Sequence, residues 1–123
     1  MIQAYSQDIT VTAMQLIPFN IVSIRKGCTA TQASPTNFEL NKSGVYEVSC
    51  GVSASVAETI QLYKDGAPVP DARRTGTSPG FVALVPVELS SSCGCCAVPA
   101  VLQVMAEDAA TLADASIVIT KLC

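Results

Sequence analysis

The sequence contains no histidine and no tryptophan, and it is poor in charged residues (14%) and in aromatic residues (5%). The lack of histidine excludes Ser-His-Asp and Cys-His nucleophile pairs, imidazole proton shuttles and histidine-ligated metals. Seven basic and ten acidic residues give a net charge of −3. This balance argues against nucleic-acid binding, which needs a basic face on the protein. We therefore predict a protein that is not an enzyme, has no cofactor or bound metal, and binds no nucleic acid.

The chain has 123 residues, half of them hydrophobic, and six cysteines. This length fits a single domain. Residues 1–8 show neither the basic nor the apolar part of a signal peptide, and no apolar run approaches the length of a membrane span. We expect synthesis in a cytosol, where thiols are reduced by default, and no membrane partner.

Apolar residues recur mostly at every second position, which is typical of half-buried β-strands. Residues 45–57 are the clearest case, because Tyr46, Val48 and Cys50 alternate there with polar or small residues. Residues 37–41 alternate as well, so we predict two strands joined by a tight turn over residues 37–57.

A second hairpin is predicted around Asp65 and Gly66, since this dipeptide suits the positive φ angles of a type I′ turn. The returning residues 67–70 contain two prolines and fit an edge strand. The polar residues 71–80 are predicted to form a surface loop. Pro18 interrupts a strand pattern over residues 14–25, as in an edge strand that crosses from one sheet to another.

The last third of the chain is apolar on both strand faces, over residues 81–87, 98–105 and 115–122. In a small antiparallel protein, one face of such a strand meets the partner sheet, and the other meets either another subunit or simply an apolar surface. Residues 105–113 fit a hairpin with a short strand at 110–112 better than a helix. Eight to ten short strands indicate a β-sandwich or barrel.

Several elements in this order resemble the small jelly rolls of the tumour-necrosis-factor and complement-globular-head superfamily. They are the segments IPFN (17–20), FEL (38–40), GVYEVS (44–49), LYKDGAPVP (62–70) and IVITKL (117–122). The resemblance is closest to the microbial branch, which includes the C-terminal domain of collagen-like exosporium glycoproteins and related phage and prophage virion proteins. It covers about residues 9–123.

The resemblance implies an all-β, ten-stranded antiparallel jelly-roll sandwich that forms a compact homotrimer, with residues 1–8 as an N-terminal arm and 9–123 as the single domain. A trimer would bury the outer apolar faces along a threefold axis. The residues expected at the trimer interface are Tyr63, Phe81, Leu84, Val101, Met105, Ile117 and Ile119.

The absence of a collagen-like stalk in the sequence favours a capsid decoration or head-fibre protein of a phage, made in the bacterial cytoplasm and placed on the capsid exterior. Its expected partners are further copies of itself and the major capsid protein or another virion protein. Contacts are expected through the arm, which would order on binding, and through a basic pair: Ile2, Tyr5, Asp8, Arg73 and Arg74. The alternatives are a tip that binds a host receptor or a glycan, and a bacterial or spore-surface protein.

The cysteines leave several interpretations open. Cys50 lies on the apolar face of its strand and is expected to be a small buried hydrophobe. For the remaining cysteines, free thiols, disulfides formed after release from the cell, and a metal site compete, although zinc usually needs four ligands. These candidates are Cys28, Cys93, Cys95, Cys96 and Cys123.

Overall fold

The computed structural model describes residues 1–89 and 98–122, and this part of the chain is built from β-strands without a helix. The strands are β1 (Ile2–Val11), β2 (Gln15–Leu16), β3 (Ile21–Arg25), β4 (Ala30–Ser34), β5 (Asn37–Leu40), β6 (Gly44–Ala54), β7 (Glu58–Lys64), β8 (Ala67–Gly76), β9 (Gly80–Val87), β10 (Ala100–Ala106) and β11 (Ala110–Lys121). Consequently, no helix in the described residues is long and apolar enough to cross a bilayer.

The strands form two antiparallel sheets packed face to face. Sheet I has the order β3-β1-β11-β6-β9, and sheet II has the order β4-β5-β10-β7-β8, with β2 pairing to β10. Neighbours in each sheet are mostly distant in sequence, so the chain crosses repeatedly between sheets, as in a jelly roll. The prediction of an all-β jelly-roll sandwich is confirmed, and residues 1–89 and 98–122 form eleven strands where ten were expected.

The core lies between the sheets and is filled by the inward-facing residues of each alternating strand. In β6, for example, Tyr46 and Val48 are fully buried, whereas their neighbours are half-buried. The Tyr46 hydroxyl donates a hydrogen bond of 2.7 Å to the carbonyl of Lys42, at the turn before β6. Phe19 and Phe38 pack in a tilted arrangement with ring centroids 5.7 Å apart.

The strand pattern around Pro18 divides between the sheets, as predicted. β2 pairs with β10 in sheet II, and β3 pairs with β1 in sheet I. The two strands predicted over residues 37–57 also exist, but they do not form a hairpin. β5 pairs with β4 and β10, whereas β6 pairs with β11 and β9. Because β5 belongs to sheet II and β6 belongs to sheet I, the turn between them crosses from one sheet to the other.

The prediction of a surface loop over residues 71–80 is wrong, because β8 continues to Gly76 in register with β7. The polar sequence fits a strand here since β8 is an edge strand and most of its side chains are exposed. The hairpin around Asp65 and Gly66 is confirmed, and both residues have positive φ angles of 51° and 83°. The hairpin predicted over residues 105–113 is wrong, because residues 107–109 connect β10 in sheet II to β11 in sheet I. The short strand predicted at 110–112 is the beginning of β11.

The predicted N-terminal arm over residues 1–8 is also wrong, because residues 2–8 belong to β1. This strand lies between β3 and β11 in sheet I, and Ile2 and Ala4 are fully buried in the core. The alternation of Ile2, Ala4 and Ser6 with Gln3, Tyr5 and Gln7 already has the strand period. The domain therefore includes these residues.

Candidate interaction surface

The face of sheet I that points away from the core carries the largest set of exposed aliphatic residues. Pairing across the strands places the outward side chains in rows, one of which joins Ile24, Gln3, Val118, Ser49 and Val82. The neighbouring rows follow from the same register. We call the following residues the outer face of sheet I: Gln3, Tyr5, Ile21, Ile24, Val45, Glu47, Ser49, Gly51, Val82, Leu84, Pro86, Ser116, Val118 and Thr120.

The two edges of this face carry the most exposed side chains. At one edge, Val82 and Leu84 are 63% and 60% exposed, and Pro86 is also exposed. We call these three residues the β9 cluster. At the other edge, Ile21 and Ile24 are 47% and 38% exposed, and we call these two the β3 cluster. Val22 is also exposed, but it pairs with the buried Ala4 and does not belong to this face.

The outer face of sheet I carries few charges. Glu47 is the one charged residue among those that define it, and the exposed Asp114 lies in the next outward row, paired with Gln7 and Ser53. Ordinary protein surfaces are richer in charged side chains. The sequence of β9 explains the apolar character. Alternate residues of this strand are buried and exposed, yet both sets are apolar. Contiguous apolar patches beyond a few hundred Å² mark contact sites on soluble proteins.

The structure divides the predicted trimer-interface residues among three places. Phe81, Ile117 and Ile119 point into the sandwich and are at most 4% exposed, so they form the core of one chain and cannot contact a partner subunit. Sheet II covers them, because inward positions alternate with outward positions along β9 and β11. Leu84 lies on the outer face of sheet I.

The remaining three interface candidates lie on the other side of the molecule. Tyr63, Val101 and Met105 are half-buried on the outer face of sheet II. Val82, Ile21 and Ile24 were not among the predicted interface residues. Strand alternation over residues 81–87 groups Val82 with Leu84 and apart from Phe81, but both sets are apolar, so the sequence does not show which set points outward.

The predicted partner-contact residues are similarly divided. Ile2 is fully buried, so it is not available to a partner. Tyr5 is half-buried on the outer face of sheet I, and Asp8 is exposed with a φ of 51°. The basic pair lies on β8 rather than on a loop.

The two arginines of β8 have different surroundings. Arg73 makes a salt bridge with Glu107, with 2.7 Å between Nη1 and Oε2. The Arg74 guanidinium donates hydrogen bonds to the backbone carbonyls of Asp71 and Arg73. Arg74 also lines a shallow hollow with Gly80 and Val82 at the β9 edge of sheet I. Arg74 thus borders the apolar outer face of sheet I, whereas Arg73 pairs with Glu107 on sheet II.

Cys50 is buried in the core, as predicted, and burial raises the pKa of its thiol to about 12. Such a thiol is unreactive at neutral pH because the thiolate is the nucleophilic form. Cys28 is exposed in the connection between β3 and β4. Cys93, Cys95, Cys96 and Cys123 lie outside the described residues. Residues 1–89 and 98–122 contain no group of three or more Cys, Asp or Glu side chains that could hold a metal ion.

A buried polar group at one end of sheet II was not predicted. The Glu58 side chain is fully buried, and its Oε1 accepts hydrogen bonds of 2.9 Å from the backbone N–H groups of Thr59 and Asp108. Glu107 continues the pairing of β10 with β7 through a bond from its N–H to the Thr59 carbonyl. Glu107 thus pairs with Thr59, and adjacent residues of a strand point to opposite faces, so Glu58 and Glu107 project to opposite faces of sheet II. Through its bond to Asp108, Glu58 holds the connection between β10 and β11.

Comparisons with known proteins identify the fold. No family model matches the sequence, and no curated protein matches it. Among solved structures, the globular domain of a zebrafish complement 1qA protein superposes with a TM-score of 0.77 at 11% sequence identity. The alignment covers 99% of this chain and 96% of the zebrafish domain. The chain therefore has the jelly-roll fold of the globular C1q domain.

Proposed function

We propose that this protein is a non-enzymatic structural protein that acts as a homotrimer, in which the outer face of sheet I is buried between subunits. The charge-poor outer face, with Val82 and Leu84 more than half exposed, is the observation that carries the proposal. Burial of apolar surface is the dominant favourable term in protein association. The number of three subunits is taken from the sequence resemblance to jelly rolls that form compact homotrimers.

The trimer is proposed to decorate a phage capsid or to form a head fibre, with the major capsid protein as its partner. This finer assignment is supported by the sequence resemblance to the microbial branch of the superfamily. A trimer matches the symmetry of a threefold or quasi-threefold position on a capsid, so one set of contacts can be made three times. The mechanism would be burial of surface, without chemistry.

The oligomeric state is tested by size-exclusion chromatography with light scattering on the purified 12.7 kDa chain. A trimer of about 38 kDa is expected. A monomer at every concentration tested would refute the proposal, since the outer face would then be exposed to solvent in the working protein.

The virion assignment needs a separate test. Purified trimer is mixed with capsids of a phage whose genome encodes this chain, and the particles are sedimented and imaged by electron cryomicroscopy. Density for the trimer at threefold positions is expected. Particles that lack the protein, and genes for sporulation or surface proteins around the coding region, would favour the bacterial or spore-surface alternative.

One observation favours a receptor- or glycan-binding tip as the second candidate. Tyr63 is paired with Gln103 on the outer face of sheet II, and the Gln103 amide donates a 2.6 Å hydrogen bond to Asn37. A half-exposed aromatic ring beside polar side chains is a surface on which a sugar can bind. Binding of purified trimer to a glycan array, abolished by Tyr63→Ala, would support this candidate over capsid decoration.

A further inference from the structure

The four edge strands of the sandwich differ in how they are protected against pairing with another chain. β3 and β4 are five residues long, and the pairing of each contains a register shift. β8 has two prolines, three charged residues and a register shift. β9 has eight residues in unbroken register with β6 and no charged side chain. Natural edge strands are commonly blunted by shortness, charge, proline or bulges, and β9 has only Pro86.

The strand ladder shows which backbone groups of β9 point away from β6. Val45 pairs with Pro86, and on its other side the Val45 carbonyl accepts a hydrogen bond from the Leu122 N–H. Val45 and Pro86 are therefore a non-hydrogen-bonded pair, and every second pair along β9 is of the same kind. The N–H and C=O groups of Val82 and Leu84 consequently point to the open edge of sheet I, where no strand of the described residues lies.

An apolar hollow of about 370 Å³ lies beside this edge, in the cleft between β8 and β9. Pro68 and Pro70 from β8 line it, together with Val69, Val85 and Pro86. Its volume is within the range of ligand pockets, about 300–1,000 Å³. A strand added beside β9 would point every second side chain toward sheet II. The side chain opposite Val85 would enter the hollow.

The charges along the edge favour an acidic group at one end. Arg74 lines a second hollow beside Gly80, and no carboxylate of the described residues forms a salt bridge with it. Lys64 lines the first hollow, but Asp65 and Glu88 lie at the same end of β9 and offset its charge. The unbalanced positive charge is therefore at the Gly80 end.

From these observations we propose that the β9 edge binds an extended segment of another protein, which adds to sheet I as a further antiparallel strand. The segment places an apolar side chain in the hollow opposite Val85 and a carboxylate at Arg74. An extended chain is the occupant because the free backbone groups of Val82 and Leu84 repeat every two residues, as in a strand ladder. The inference goes beyond the proposed trimer, since these groups lie in the plane of sheet I and the outer face points away from that plane.

The probe is a fluorescein-labelled peptide, Thr-Leu-Thr-Val-Thr-Glu-Thr-amide, and binding is measured by fluorescence anisotropy. Its third and fifth residues are designed to pair with Leu84 and Val82, so that leucine faces the hollow and glutamate faces Arg74. The Pro86 carbonyl already accepts a 2.7 Å hydrogen bond from Lys64 Nζ, so the ladder is designed around these two pairs. Saturable binding is expected, and lysine in place of glutamate should weaken it by about tenfold or more.

Backbone N-methylation distinguishes strand addition from adhesion to an apolar surface. Methyl groups on the third and fifth residues of the peptide remove the N–H donors that face β9. They should lower the affinity by about tenfold or more. Methyl groups on the second and fourth residues face away from β9 and are the matched control, with an affinity within about threefold of the unmodified peptide.

Two variants of the protein test the same contacts from the other side. Leu84→Pro removes one of the free N–H groups and should weaken peptide binding by about tenfold or more, whereas the control Leu84→Val retains it. The Leu84 N–H makes no bond to β6, so Leu84→Pro is expected to keep the fold, which circular dichroism checks. Arg74→Glu should reverse the preference of the protein from the glutamate peptide to the lysine peptide.

Other outcomes would overturn the proposal. They are binding that does not saturate, and equal affinities of the two N-methylated peptides. If the peptide does not bind and the wild-type protein forms assemblies that Leu84→Pro dissociates, the β9 edge pairs with a second copy of the chain instead. Light scattering on the same samples reports the oligomeric state, so a failure of peptide binding by a trimeric protein would leave the proposed function standing.

Discussion

The substitution Ile119→Ala tests the assignment of β11 residues to the core or to the outer face. Ile119 is fully buried between the sheets, and its neighbour Val118 is half-buried on the outer face of sheet I. Replacing isoleucine by alanine removes three carbon atoms, whose burial contributes about 0.8 kcal/mol each. The cavity left behind adds a further cost, so we expect a loss of about 3–4 kcal/mol in the free energy of unfolding.

The assay is urea denaturation followed by circular dichroism at a high and a low protein concentration. The loss for Ile119→Ala should be the same at both concentrations, because the Ile119 side chain packs only against residues of its own chain. Val118→Ala is the matched control on the opposite face. Its effect should be below about 1 kcal/mol in the dissociated protein and larger at high concentration, where association adds to stability.

A loss below about 1 kcal/mol for Ile119→Ala at low concentration would refute the reasoning. Such a result would mean that the Ile119 side chain is not packed in the core of the single chain. It would also restore Ile119 to the trimer interface, where the sequence alone had placed it.

Three further predictions concern the N-terminus, the core cysteine and the buried carboxylate. Deleting residues 1–8 should abolish folding, because β1 pairs with both β3 and β11; a deleted variant with a cooperative thermal transition would contradict this. The Cys50 peptide should resist alkylation in the native protein at pH 9 and react in urea. The thiol has a pKa of 9.0 in the unfolded chain and of about 12 in the folded chain. The free energy of unfolding should therefore fall as pH rises between these values. Denaturation at several pH values measures this loss, with Cys50→Ala as the comparison. Glu58→Ala should cost about 1–3 kcal/mol in urea denaturation by leaving backbone donors at Thr59 and Asp108 unpaired, whereas the exposed Glu88→Ala should be neutral.

Much of the fold could be predicted from local sequence, because the strand period is a local property. The alternation around Tyr46, the turn at Asp65 and Gly66 and the interruption at Pro18 each specify backbone geometry within a few residues. The predictions that are wrong concern pairing. Residues 71–76 have the polarity of a loop, but hydrogen bonds to β7 hold them in an edge strand.

The candidate site was predicted only in part, because apolar sequence does not say which face of a strand points outward. Over residues 81–87 every side chain is apolar, so composition cannot separate Phe81 from Val82. A partner sheet covers Phe81, and nothing in the described part of the same chain covers Val82. Glu58 was missed for a related reason, since its backbone partner at Asp108 is 50 residues away.

The sequence by itself determined that this is an all-β domain with an excess of apolar residues and without histidine chemistry. These properties depend on composition and on a period of two residues, which require no knowledge of neighbours. Only the tertiary structure decided that Ile117 and Ile119 are core and that Val82, Leu84 and Ile24 are exposed. Burial depends on which strands pair and which sheet packs above them, and these contacts join residues that are far apart in the chain.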